Sequence, residues 1–488
     1  SGHKVTLDSK ISERKWYEIE GEIGLNGRMS ITLIDLSNLT RQHKKQIVRP
    51  LEKILRIDNT LFIAAKHDGY QAQNLFNGNW QEGSSDQSYD VLNPFNQEII
   101  AKVQCVNQKD VTECISCAEK GFNAWSQVAV NKRSRILSEW AKLLKANSNE
   151  IATIITLESG KPLKESHGEI IYSADYLEWF ASESLRIYGD TIVNDSQSKI
   201  IITKEPVGVC ACITPWNFPM AMLARKVAPA LAAGCSMIVK PSELTPLSAF
   251  AFARLGHDAG LPMDVLSVIV GDASMIGQLF SKSDVIRKLS FTGSTPVGQI
   301  LYQQSGETLK RLSMELGGNA PMIVLDDADI EHAVKQGIIA KFRNAGQTCV
   351  CVNRFYIHEK VFDTFVKKFI SLLKNEEVGD GMDPKTTIGP LINQSGLDKV
   401  VRLVDNAKEQ GARVLCGGKI SDLSKSCYEP TVIVGVSPDT QIIQEEIFGP
   451  VAVCIPFRED KDVIKKANDT KAGLASYLFG RDFVRLER

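Results

Sequence analysis

The sequence predicts an α/β fold: a doubly wound parallel sheet, a second α/β block after it and a ββα extension before it. Three observations carry that expectation. From residue 207 to residue 291, strand-like and helix-like segments alternate at the spacing of parallel strands joined by helical crossovers. A second block of the same kind follows from Leu316. At 488 residues the chain exceeds one ordinary core, so two or three domains are expected.

Residues 1–75 read as an accessory element without visible chemistry. Segments 16–23 and 29–36 are rich in strand formers and flank the hairpin signal Asn26-Gly27. Segment 40–57 spaces Ile47, Val48, Leu51, Ile54 and Leu55 as on one helix face, with a bend at Pro50. From about Leu75 the pattern becomes long α/β. Turns are marked by Asn77-Gly78-Asn79-Trp80 and Leu92-Asn93-Pro94. Segment 109–145 is helical with a break near Val130, and 150–188 holds two helices around Gly160-Lys161-Pro162. The alternation then runs as strand 207–213, helix 219–232, strand 236–239, helix 247–259, strand 265–269, helix 275–280 and strand 286–291. No internal repeat or low-complexity linker interrupts it.

Composition narrows the partners. Lys plus Arg number 57 against 58 for Asp plus Glu, without long runs of either sign, so neither nucleic acid nor an anionic membrane is an expected partner. No apolar run reaches the ~18 residues of a membrane span, and a soluble protein is expected. Eleven cysteines at irregular spacing point to reduced thiols in a cytosol-like compartment. Cys114-x-x-Cys117 has no second Cys/His pair, and no His pair stands at i,i+4, so no metal site is expected. The start at Ser1-Gly2-His3 lacks an initiator Met, which leaves a removed targeting peptide open.

Four segments carry chemistry. Arg343-Asn-Ala-Gly-Gln-Thr-Cys-Val-Cys-Val-Asn-Arg354 presents Cys349 among small and polar residues at a turn entering new structure. Cys349 is the candidate nucleophile, Cys351 the competing thiol, and a buried inert cysteine the plain alternative. Asn217, in Pro215-Trp216-Asn217-Phe218 after strand 207–213, offers a side-chain NH2 to a developing oxyanion; removing one such donor typically costs ~3 kcal/mol. The alternative is a helix N-cap before Pro219. Glu315 ends an apolar strand before Gly317-Gly318, where backbone or ligand can approach closely. There it serves either as a base toward water or as an ordinary salt-bridged strand end. Gly293-Ser294-x-x-x-Gly298 closes a strand and opens a helix whose amides suit a pyrophosphate, although it is not the G-x-G-x-x-G fingerprint. Lys240 and Glu243, at the end of another strand, are placed for ribose hydroxyls. Nucleophile, oxyanion donor, base and phosphate turn are the parts needed to oxidise an aldehyde through a thioester.

At these segments the chain resembles the aldehyde dehydrogenase superfamily over residues 75–488. Glu178-Trp179-Phe180, Arg186-Ile187-Tyr188-Gly189-Asp190, Lys341-Phe342-Arg343-Asn344 and Cys349-Val350-Cys351 further resemble the succinate-semialdehyde dehydrogenases. The resemblance implies a Rossmann-like NAD(P)-binding domain from 76–188 and 206–315, bridging oligomerisation strands at 189–205, and a catalytic domain from 316–488. It implies Cys349 as nucleophile, Asn217 with the Cys349 amide as oxyanion hole, and Glu315 as base. Trp216, Lys240, Glu243, Gly293 and Ser294 would line the cofactor, with Glu446 and Phe448 at the nicotinamide ribose. Arg343 and Arg186 would hold a substrate carboxylate, which a guanidinium fork suits. Glu243 would repel a 2′-phosphate, which favours NAD over NADP. Cys351 would form a reversible, strained disulfide with Cys349 as a redox switch.

The expected reaction is therefore oxidation of succinic semialdehyde to succinate by a cytoplasmic homo-oligomer, or a mitochondrial-matrix one if a targeting peptide was removed. Two alternatives stand beside it: another carboxy-aldehyde such as glutaric semialdehyde, and a catalytically silent scaffold of the same fold. Relative to that family the chain is expected to stop short at Leu486-Glu487-Arg488. The segment beyond would finish the catalytic sheet, supply a carboxylate-binding Ser and form a dimer strand, so an exposed sheet edge is expected.

Overall fold

The computed structural model describes residues 17–23, 29–35, 70–193 and 198–488. The chain divides into two compact units, residues 1–62 and 63–488. In the first, Tyr17–Ile23 and Met29–Asp35 form an antiparallel hairpin in register from Tyr17 opposite Asp35 to Ile23 opposite Met29. The helix expected over 40–57 lies outside the described residues.

Strand Tyr70–Ala72 and the first two residues of Asn74–Phe76, which the sequence reading leaves in the N-terminal element, pair with strands of the second unit. That unit is built on two large sheets. Across the first run Arg311–Glu315, Ile286–Thr292, Val209–Ile213, Met237–Lys240 and Leu266–Val268, all parallel, followed by the hairpin Asn74–Phe76/Asn79–Gln81. The central strands read Val-Cys-Ala-Cys-Ile and Met-Ile-Val-Lys and are buried almost throughout, as parallel strands covered by helices on both faces must be. From Val209–Ile213 the chain steps outward on one side to Met237–Lys240 and Leu266–Val268. It then crosses back to Ile286–Thr292 and Arg311–Glu315 on the other. The strand order thus reverses beside Val209–Ile213, and ligands of such sheets bind outside the carboxyl ends of the strands at that point.

Helix limits follow local chemistry. Gln108–Trp125 starts on a capping box made by Asn107 and Asp110, and the break anticipated near Val130 separates it from Val130–Ala146. Ser148–Ser159 stops at left-handed Gly160 (φ 77°), and Leu163–Ser184 begins beyond Pro162. Helix Ala221–Ala233 starts two residues later than expected, because the Met220 and Ala221 amides donate to the buried Glu169 carboxylate at 2.9 and 3.1 Å.

The second sheet is ordered Arg413–Cys416, Thr431–Val434, Val451–Phe457, Val352–His358, Ala320–Val324 and Tyr477–Phe479, parallel except at the first pair. Its core packs Phe355, Phe365 and Phe369 beneath the helix Glu359–Leu373. Asp190–Val193 and Lys199–Ile202 form a separate antiparallel hairpin.

Candidate active site

The carboxyl ends of the first sheet and the start of one strand of the second meet around one cavity of about 770 Å³. Trp216 and Asn217 follow Val209–Ile213, Gly293 and Ser294 follow Ile286–Thr292, and Glu315 ends the edge strand; all five line it. From the second sheet come Arg343, Thr348 and Cys349, just before the strand Val352–His358, together with Glu446 and Phe448.

Cys349 is set by a strained approach. Asn344 and Ala345 have φ of 52° and 54°, and Gly346 of 75°, so three consecutive residues turn left-handed. Donors pin that turn. The Asn344 amide donates to Glu165 Oε2 at 2.8 Å, and Asn344 Nδ2 donates to the Asn217 carbonyl at 2.9 Å. Gln347 fastens it to residues 390–392 through Pro390 O and the Ile392 amide. On the other side, a Cβ on Gly318 would come within 2.2 Å of the Cys349 carbonyl, so only glycine permits that contact.

Asn217 is not a helix cap. Its Nδ2 donates to the Gln347 carbonyl at 3.0 Å, which ties the candidate oxyanion donor to the nucleophile loop and leaves its second N–H for a ligand. Its carbonyl is held by Lys161, whose ammonium also pairs with Glu169 in a fully buried ion pair.

Glu315 is a salt-bridged strand end and a cavity group at once. Its Oε1 accepts from Arg225 Nη1 at 2.6 Å and its Oε2 from the Thr292 hydroxyl at 3.2 Å. Burial pushes the Cys349 thiol above its ordinary range, and the Glu315 and Glu446 charges push it the same way, opposed by Arg225. Burial also raises the Glu446 carboxyl, against the Gly318 amide that donates to it at 3.0 Å.

The expected residues do not all converge. Arg186 is an exception: it lies on the turn after Leu163–Ser184, 70% exposed and paired with Glu183, and does not line the cavity. The second guanidinium there is Arg225, one turn into Ala221–Ala233 and braced over Tyr172 and Tyr176. A signal existed, since Arg225 and Lys226 are the only charges in an otherwise apolar helix. Cys351 is buried, its Sγ 3.2 Å from Lys341 Nζ, and burial raises its thiol against that ammonium; Cys349 and Cys351 are both free thiols.

The donor set fits a dinucleotide. Ser294 caps Thr295–Gln304 without a side-chain hydrogen bond, so that helix end keeps amides for an anion. A Cβ on Gly293 would fall 2.5 Å from the Phe291 ring, which keeps the turn bare. Trp216 and Phe448 pack edge to face at 5.5 Å on the cavity wall. Lys240 and Glu243 lie outside that cavity, at the end of the neighbouring strand, and bond each other at 2.8 Å. Burial would raise the Glu243 carboxyl, yet Lys240 holds it below its ordinary value.

Residues 80–488 match the model of the aldehyde dehydrogenase family. A mitochondrial succinate-semialdehyde dehydrogenase of Oryza sativa is 45% identical, over 85% of this chain and 79% of its own. The succinate-semialdehyde dehydrogenase [NADP(+)] GabD of Escherichia coli is 44% identical, over 86% and 87%. The crystal structure of a succinate-semialdehyde dehydrogenase from Burkholderia pseudomallei superposes with a TM-score of 0.85 at 45% identity, covering 87% of this chain and 89% of that one.

Proposed function

The chain belongs to the aldehyde dehydrogenase family, and from that premise we propose that it oxidises succinic semialdehyde to succinate, with Cys349 carrying the acyl group. One observation carries the reading: a thiol, a side-chain amide, a carboxylate and two guanidinium groups share one cavity. Arg343, over the Phe218 ring at 4.9 Å, and Arg225 take the distal carboxylate. Cys349 loses its thiol proton to solvent, its sulfur attacks the aldehyde carbon, and Asn217 Nδ2 meets the oxygen as it gains charge. Trp216, Gly293, Ser294 and Phe448 would hold a nicotinamide dinucleotide, which would supply the hydride acceptor for the hydrogen on that carbon. Glu315 then takes a proton from water, whose oxygen attacks the thioester carbonyl; the C–S bond breaks and the thiolate returns to Cys349.

The Glu243 carboxylate, already bonded to Lys240, favours NAD with its free ribose hydroxyls over NADP. Glu243→Ser should therefore raise kcat/KM for NADP relative to NAD. The hairpin of Asp190–Val193 and Lys199–Ile202 turns Val193 and Ile201 to solvent at about 70% exposure and supports a homo-oligomer. Among the described residues no helix is long and apolar enough to cross a membrane. Reduced thiols fit a cytoplasmic setting, or a mitochondrial one, the word in the rice relative's name.

Reduced cofactor is expected to form with succinate in equal amounts, and Cys349→Ala to form none. Comparing kcat/KM for the four- and five-carbon semialdehydes ranks the glutaric alternative. No turnover of either would leave the silent-scaffold reading.

A further inference from the structure

We propose that Arg225 is a latch on Glu315 that the substrate's own carboxylate opens. The inference rests on the function proposed above and adds to it the point at which chain-end charge is sensed: hydrolysis of the thioester as well as binding of the aldehyde.

Both oxygens of Glu315 are engaged, Oε1 by Arg225 Nη1 at 2.6 Å and Oε2 by the Thr292 hydroxyl at 3.2 Å. A carboxylate has about four acceptor positions, so these two bonds do not exhaust it, but they fix its orientation against Arg225 and Thr292, and turning it to a water at the thioester requires the Arg225 donor to leave. Arg225 is built to let go without leaving. Its Nη2 donates to the Tyr172 hydroxyl at 2.6 Å and to the Tyr176 hydroxyl at 3.1 Å, so the guanidinium stays anchored whichever carboxylate it serves. Its Nε is buried and has no hydrogen-bond partner among the described residues, an unused donor beside the cavity. A second carboxylate in the cavity competes with Glu315 for the Nη1 donors and for the same cation, since Nη2 is spent on the tyrosines. Glu315 is then free to take the proton of the hydrolytic water as the oxygen attacks and the C–S bond breaks. An aldehyde of equal length without a carboxylate would acylate Cys349 yet leave the latch shut.

The test compares succinic semialdehyde with butanal, which carries a methyl where the former carries its carboxylate. Acid-quenched samples of the turning-over enzyme, analysed by intact mass, give the fraction held as thioester; reduced cofactor gives the turnover. The butyryl-enzyme should accumulate while the succinyl-enzyme does not. Added propionate, a carboxylate supplied in trans, should raise butanal turnover about tenfold, the scale of one charge-assisted hydrogen bond, and drain the butyryl-enzyme. Arg225→Gln should abolish that response to propionate. Where that variant misfolds, the response of the wild-type enzyme decides alone. Equal accumulation of both thioesters, accumulation of neither, or indifference to propionate overturns the latch. Absence of any cofactor reduction with succinic semialdehyde overturns the underlying function instead, and the latch with it.

Discussion

Cys349 meets its ligands as a thiol held back from ionising. Burial and the charges of Glu315 and Glu446 all raise it, and a backbone hydrogen bond at Cys349 and the Arg225 charge pull the other way. The thiolate is the reactive form, so alkylation by iodoacetamide in the absence of cofactor should climb with pH and reach its midpoint above the ordinary thiol value. Glu315→Gln removes one repelling charge and should move that midpoint down. An unmoved midpoint would mean that Glu315 does not face the sulfur. The same variant should lower kcat by about 10²–10⁴, the usual contribution of a positioned base. At this scale the sequence was informative wherever a residue sits beside a turn or strand end, as Asn217, Gly293, Glu315 and Cys349 do. Arg225 escaped because it lies inside a helix, and only the fold brings that helix against the end of strand Arg311–Glu315. Arg186 was singled out by local resemblance, and its solvent-facing turn keeps it from the cavity.

The nucleophile loop is the element that most depends on backbone freedom. Gly346 combines a φ of 75° with a position where a Cβ would sit 2.2 Å from the Gly449 carbonyl. Gly346→Ala should therefore displace Asn344 to Cys349, cost about 1–3 kcal/mol in stability and remove most activity. A melting curve beside a turnover assay checks it, and wild-type values in both would show that the left-handed turn is dispensable. Element order was legible because the apolar strands and their connecting helices differ in period, so the Gly160 stop and the break before Val130 stood out. The delayed start of Ala221–Ala233 was not, since Glu169 arrives from a distant helix to bind its first amides.

On the scale of the whole molecule, two sheets supply the two halves of one site, and their alternation could be read from the sequence. The contact between them could not, because it joins residues far apart in the chain, such as Asn217 with Gln347 and Trp216 with Phe448. The exposed isoleucines of the 190–202 hairpin predict association: Ile201→Glu should lower the solution molar mass measured by light scattering, whereas an unchanged mass would place the interface elsewhere. The most direct test of the central claim uses Glu315→Gln as a trap. With succinic semialdehyde and NAD, then acid quench and peptide mass analysis, a succinyl thioester should be found on Cys349. An unmodified Cys349, or the acyl group on Cys351, would contradict the account.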